Sequence, residues 1–176
     1  MSLDRTYPPH PLDHLPAAPA TLSVTSDDFN DGDPLPKSAG YGAGNTSPQL
    51  SWSGAPEGTK SFLLLCHDPD APVIGGFGHW AVLGIPADVH SLAAGAGSLG
   101  NPLGAGAITL ANDYGTRDFG GAAPPVGDPA HRYIFTVWAL DTDQTGLDSS
   151  TSIAKAQFAT LGNVLARGSL TGTYAL

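Results

Sequence analysis

The sequence is short of cysteine, of positive charge and of long apolar runs, and each shortage closes off a class of protein. Its single cysteine, Cys66, has no partner for an internal disulfide, so stability must come from a hydrophobic core. Lysine and arginine together number 7 against 16 aspartates and glutamates, for a net charge of -9. So acidic a chain offers no cationic surface to release counterions from a phosphate backbone, which argues against nucleic acid as a partner. No apolar stretch nears the roughly 18 residues that a membrane-spanning helix needs. The opening segment, MSLDRTYPPHPLDHLPAAPA, has neither a basic start nor an unbroken apolar core, so the expectation is a cytoplasmic protein that is not transmembrane.

What is present is turn chemistry. The 176 residues include 23 glycines and 16 prolines, with 41% apolar and only 13% charged residues, a balance that suits short strands joined by many turns. The length fits a single domain. Residues 1–19 carry Pro8, Pro9, Pro11, Pro16 and Pro19, which remove backbone donors and hold their neighbours extended, so they read as a surface arm ahead of a domain over 20–176. His10 and His14 have the spacing of two ligands on a helical turn, but Pro11 and the lack of a third ligand argue against a metal site; no metal or cofactor is expected.

Strand patterns appear at 20–26, 49–54, 61–67, 79–85 and 131–140, and again in the closing SLTGTYAL. The run SFLLLCH is apolar almost throughout, as in a strand covered on both faces, with Cys66 as a small buried hydrophobe. One helix is marked by caps at Ser149 to Ser152 and by Ala154, Phe158, Leu161 and Leu165 on one face, ending before Gly168. The stretch 93–107 is too rich in glycine and alanine to assign.

The chemistry gathers in three places. Asp68 and Asp70 flank Pro69 at the exit of a buried strand. Either the two carboxylates form a pair that tunes one of them, or one accepts backbone N–H bonds in the proline turn while the other meets a site; the turn forced by Pro69 and Pro72 favours the second. His79 opens the next strand and, by period 2, shares a face with Ala81 and Leu83 at a pocket rim, with Trp80 opposite. His131 and Tyr133 alternate onto one face of a later strand, behind the Gly/Pro loop of DFGGAAPPVGDPAHRY, which could bring backbone N–H groups to a ligand. Trp138 falls on the face opposite to them. With Asp68 fixing a histidine tautomer, these groups make a plausible cradle for a small anion; the plainer reading is a buried tyrosine bonded to a carboxylate. A hydrolase using His79 or His131 with Asp68 would need a nucleophile, and the chain has no GxSxG elbow.

DPDAP at 68–72, HW at 79–80, APPVGDPAHRY at 123–133 and NTSPQLSW at 45–52 resemble the signature of the phosphatidylethanolamine-binding protein family, also called Raf kinase inhibitor-like proteins, in its bacterial branch. From about residue 20 onward the chain is similar to actinobacterial (mycobacterial) members. The resemblance implies a mainly β fold: a large central antiparallel sheet, a smaller second sheet and one or a few short peripheral helices. It implies a non-enzymatic protein that binds phosphate, phospholipid head groups or similar anions, with a regulatory role. Carried over, the ligand-binding set is Asp68, Asp70, Pro72, His79, Ala123, Pro124, His131 and Tyr133. Relatives often carry proline at the Ala122 position and glycine at Ala123, so the backbone approach to a ligand differs here. A homodimer is a further expectation, and inhibition of a protease or kinase an alternative function. An Ala71–Pro72 bond in the cis form is expected from the tight turn between site residues.

Overall fold

The computed structural model describes residues 6–98, 100–101 and 103–176. Nine strands form two sheets: β1 (Ala20–Thr21), β2 (Ser23–Thr25), β3 (Leu50–Ser53), β4 (Ser61–Asp68), β5 (Phe77–Pro86), β6 (Ser91–Leu92), β7 (Ile108–Thr109), β8 (His131–Leu140) and β9 (Val164–Tyr174). The large sheet runs β1-β9-β8-β4-β5-β7 and the small one β2-β3-β6. All pairs are antiparallel except β1 with β9, which is parallel, so the large sheet is mixed rather than wholly antiparallel. The five strongest strand patterns all lie on strands, and HRYIFTVWAL coincides with β8 to the residue. The two-residue strands β6 and β7 are too short for a periodic signal.

The apolar run of β4 is explained by its place between β5 and β8, with core on both faces. On one face Phe62, Leu64 and Cys66 pack with Trp80, Tyr133, Phe135 and Val137 beneath Leu50 and Trp52 of the small sheet. On the other, Leu63, Leu65, Ala81, Leu83, Trp138 and Leu140 are covered by Ala156 and by Leu15 of the arm. A fully buried leucine or aromatic side chain is worth about 1.5–3 kcal/mol, so these two layers carry the fold.

The helix differs from its sequence expectation. It is shorter, α1 (Ile153–Thr160), capped by the Ser152 side chain accepting from the Lys155 N–H. It buries Ala156 and Thr160 and leaves Phe158 82% exposed, while Leu165 and Gly168 already belong to β9. The apolar spacing was set by two different elements, a helix face and a strand. Residues 93–98 run as turns, Leu99 and Pro102 lying outside the described residues.

The described part of the arm, from residue 6, is fastened by polar contacts. The Tyr7 hydroxyl donates to the Ala130 carbonyl at 2.7 Å, and the Arg132 guanidinium donates to the Pro8 carbonyl at 2.8 Å while stacking on the Tyr7 ring. Arg167 donates to the Pro16 carbonyl. Residues Pro11–His14 form a single turn of 3-10 helix. Among the described residues no peptide bond is cis, which corrects the expectation for Ala71–Pro72: the DPDAP turn closes through side-chain bonds instead.

Candidate functional site

Those bonds start at Asp68. One carboxylate oxygen accepts the N–H groups of Asp70 at 2.8 Å and Ala71 at 3.0 Å, and the other accepts from His131 Nδ1 at 2.8 Å. A single aspartate therefore holds the turn and meets the site, the two tasks the sequence divides between Asp68 and Asp70. Asp70 is engaged elsewhere. Its Oδ2 accepts the backbone N–H and Nε of Arg132, and its Oδ1 accepts from the Arg132 guanidinium at 2.7 Å.

His131 begins β8 with carboxylates on both ring nitrogens, since Asp128 lies 3.1 Å from Nε2. An imidazolium, which donates from both nitrogens, satisfies both partners. Asp128 stands in the quoted motif GDPAHRY, and its spacing of three residues before a strand-opening histidine was the available signal.

His79 departs most from its expected position. Cys66 pairs with Trp80 and His67 with Gly78, so His79 is the extra residue of a β-bulge. A bulge breaks the two-residue alternation. His79 consequently turns to the face of Trp80 and Phe135, where its ring packs on Tyr133 at 5.0 Å and Phe77 at 5.0 Å between centroids. Trp80 shares a core layer with Tyr133 while Trp138 lies in the opposite layer. The expected opposition thus holds for Trp138 and fails for Trp80. Nor is His79 at a rim: it is 2% exposed.

The local sequence also sets the His79 tautomer. Its Nδ1 lies 2.6 Å from the Gly120 carbonyl, which can only accept, so Nδ1 carries the proton and Nε2 is an acceptor in the neutral ring. Burial pushes the His79 pKa below the usual histidine value, against the opposing pulls of the Gly120 carbonyl and Asp68. Gly120 and Gly121 are needed for close approach: a Cβ on Gly120 would meet the Tyr114 ring, and one on Gly121 would meet the Ala39 carbonyl at 2.6 Å. Their N–H groups are spent on the His79 carbonyl and on Asn45 Oδ1, and that of Ala122 on the Ala39 carbonyl. The expectation that this loop offers N–H groups to a ligand is corrected at these three positions: they build the wall.

Tyr133 completes the cluster. It is 1% exposed, and its hydroxyl makes no hydrogen bond of normal geometry. Burial, helped by Asp68, pushes its pKa far up, with the Ala123 backbone opposing. Tyr114, half-buried, has its pKa pushed up to about 12, first by burial and then by Tyr41. It packs between Phe77 at 4.7 Å and the Tyr41 ring at 4.6 Å and donates to the Gly121 carbonyl. Phe77, Tyr114 and Tyr41 went unmarked because they come from three distant segments.

The structure thus brings Asp68, His79, His131 and Tyr133 into one buried cluster. Pro72 lines a groove on the arm side of the DPDAP loop, Ala123 is exposed and Pro124 buried. Among the described residues no three His, Cys, Asp or Glu side chains are grouped to hold a metal ion, and no helix is long and apolar enough to cross a membrane.

A large mixed sheet packed on a small antiparallel one, with an Asp–His–Tyr cluster where β4, β5 and β8 meet their loops, defines a recognisable class of β protein. The chain belongs to the phosphatidylethanolamine-binding protein family, whose model matches residues 25–175. It is 44% identical over 164 residues to the UPF0098 protein YbcL of Escherichia coli, covering 90% of each chain. It is 40% identical to YbhB of the same organism, covering 87% of this chain and 99% of that one. A Mycobacterium tuberculosis protein named LppC is 33% identical, covering 82% of this chain and 72% of that one. The crystal structure of YbcL, described as a new member of the mammalian PEBP family, superposes with a TM-score of 0.85 at 43% identity, over 89% of this chain and 99% of that one.

Proposed function

We propose that the chain is a non-enzymatic binding protein whose Asp68, His79, His131 and Tyr133 cluster holds a phosphate group, free or in a phospholipid head group. The observation that carries this reading is the Tyr133 hydroxyl, buried beside the His79 ring and served only by the Ala123 backbone, outside normal hydrogen-bond geometry. Buried polar groups are nearly always paired, and an orphan costs about 1–3 kcal/mol. A ligand oxygen would repay that cost, and His79 Nε2, an acceptor in the neutral ring, would take a hydrogen bond from a proton-bearing group of the same ligand, a P–OH or the head-group ammonium. The half-exposed Tyr41 ring, stacked on Tyr114, marks the side of approach. The Cys66 thiol is no candidate nucleophile, because it is fully buried and its pKa is pushed well up.

The test is calorimetric titration of wild type, His79→Ala and Tyr133→Phe with inorganic phosphate and with lysophosphatidylethanolamine, beside an assay for product release. Losing a bond to a charged ligand costs about 1.5–3 kcal/mol, so His79→Ala should weaken binding about ten- to a hundredfold. Because His79 is buried, each variant is first checked for native circular dichroism. Unchanged affinity in both variants would remove the cluster from the account. Turnover by wild type that vanishes with His79 would transfer it to hydrolysis.

A further inference from the structure

The two edges of β8 are not paired over the same length. Its ladder to β9 starts at His131, opposite Tyr174, whereas its ladder to β4 starts only at Ile134, opposite His67. His131, Arg132 and Tyr133 therefore overhang β4 on one edge, and two of the three belong to the phosphate cluster. An overhanging edge leaves backbone groups that need partners. Here side chains supply them: Asp70 Oδ2 accepts the Arg132 N–H at 2.8 Å, and the Tyr7 hydroxyl donates to the Ala130 carbonyl at 2.7 Å. Ala130 and Arg132 are two residues apart, the spacing at which an extended chain presents its polar groups to one edge.

We infer that Tyr7 of the N-terminal arm is a positioning residue for the phosphate cluster: bonded to Ala130 and stacked against Arg132, it holds both neighbours of His131 and so sets where that ring stands when a ligand arrives. The inference rests on the phosphate reading of the cluster. Beyond the open edge, a closed circuit of contacts supports it. The Arg132 guanidinium lies 5.1 Å from the Tyr7 ring centroid and donates both to the Pro8 carbonyl and to Asp70. The Asp70 N–H is held in turn by one oxygen of Asp68, whose other oxygen accepts from His131 Nδ1. The arm thus reaches His131 by two routes, through the backbone at Ala130 and Arg132 and through Asp70 and Asp68 to the ring itself.

Tyr7 does little else for the fold. It is 48% exposed, Pro8 and Pro9 beside it are exposed, and the arm residue that packs against a core layer is Leu15. This first stretch of the arm therefore buries little apolar surface, and the contacts it does make converge on residues 130 and 132. His131, by contrast, is buried together with Asp68 and Asp128 on its ring nitrogens. A packed interior transmits small displacements instead of absorbing them, so a shift of the backbone on either side of His131 reaches its ring. Tyr7 offers one neutral hydrogen bond and one exposed cation–π contact, which puts the expected coupling at the low end of the range for linked sites, about fivefold.

Inorganic phosphate is titrated calorimetrically into the full chain and into its Tyr7→Phe, Tyr7→Ala and His14→Gln variants, and the His131 imidazole resonances of each ligand-free protein are followed by NMR. Tyr7→Phe removes the hydroxyl and keeps the ring, while His14→Gln alters an exposed position in the 3-10 turn of the arm. Tyr7→Ala is expected to weaken phosphate about fivefold and to shift the His131 resonances. Tyr7→Phe should do both in smaller measure, and His14→Gln neither. A residue that only tacked the arm to the surface would leave the ring resonances where they are. Unmoved His131 resonances in Tyr7→Ala, unchanged phosphate affinity in that variant, or an equal loss in His14→Gln would each overturn the assignment. If wild type takes up no phosphate, the phosphate reading falls by itself. The His131 resonances then decide alone: a shift in Tyr7→Ala keeps Tyr7 as the residue that positions this ring, and no shift removes it.

Discussion

Replacing Asp70 by asparagine tests whether this residue clamps the fold or touches a ligand. Asp70 is 3% exposed and its carboxylate takes three bonds from Arg132, at 2.7 to 2.9 Å, two of them from the guanidinium. Asparagine keeps the shape but turns an amide NH2 toward a donor and leaves the guanidinium without its counter-charge. Breaking a buried ion pair typically costs about 3–5 kcal/mol. The Arg132 side chain is 24% exposed, so water recovers part of the loss, and about 3 kcal/mol is expected. For a chain of this length that corresponds to a fall in Tm of about 6–12 °C.

Urea unfolding is the assay, read as a lower midpoint at unchanged slope. Arg132 also holds the Pro8 carbonyl and the Tyr7 ring, so Arg132→Gln alone would mix two effects, and a double-mutant cycle with Asp70→Asn isolates the clamp. A coupling below about 1 kcal/mol would refute the reasoning, because it would mean that the carboxylate stabilises through the turn and not through Arg132. A fall in phosphate affinity with little change in stability would instead place Asp70 on the ligand.

Two further predictions concern pH and the helix. Burial lowers the pKa of His67 and His79, so the unfolded chain binds protons at the usual histidine value of about 6.5 while the folded chain does not; their stability contribution is complete above that pH and lost as pH falls toward the folded values. Urea unfolding between about pH 7.5 and pH 5 should therefore show the advantage of wild type over His67→Gln shrinking with acidity, and a constant difference would contradict it. On α1, Ser152→Ala should cost about 1 kcal/mol by removing the cap, while Phe158→Ser should cost under about 0.5 kcal/mol, and a large loss at Phe158 would restore the face read from sequence.

Which parts of this structure could be read in advance follows from the range of the interactions involved. Strands β4, β5 and β8 announce themselves because their burial pattern is written in consecutive residues. The side chains of Asp68, His131 and Tyr133 could be placed because strand alternation and a proline turn are local rules. His79 could not be aimed, because a bulge is a property of the pairing of two strands, seen only once Cys66 meets Trp80 and His67 meets Gly78. The helix face failed for a related reason. Leu161 and Leu165 match the helical period by spacing, yet the chain leaves the helix at Thr160 and enters β9 at Val164, where pairing with β8 outweighs helix propensity. Asn45 Oδ1, bonded to the Gly121 N–H across 76 residues, belongs to the same class of long-range contact.

Burial and charge in the cluster lead to a last prediction, about which anion enters. Asp68 and Asp128 set two acidic side chains against the one His131 ring they share, and burial lowers the pKa of His79. A fully ionised anion would therefore meet a cluster that already carries excess negative charge. Two unit charges at about 4 Å interact by about 4 kcal/mol at an effective dielectric of 20, enough to decide selectivity even after partial screening. A phosphate that retains a proton can donate it to an acceptor, either Asp68 or His79 Nε2, and turn the repulsion into a bond; sulfate of the same size and shape carries no proton near neutral pH. Calorimetry at pH 7 should then show phosphate bound at least tenfold more tightly than sulfate, with about 1.4 kcal/mol between them. Lowering the pH protonates His79 and lets sulfate in, so the ratio should narrow as pH falls, and His79→Gln should keep it wide. Equal binding of the two anions at pH 7 would mean that the ligand sees net positive charge, and the protonation states assigned to this cluster would be wrong.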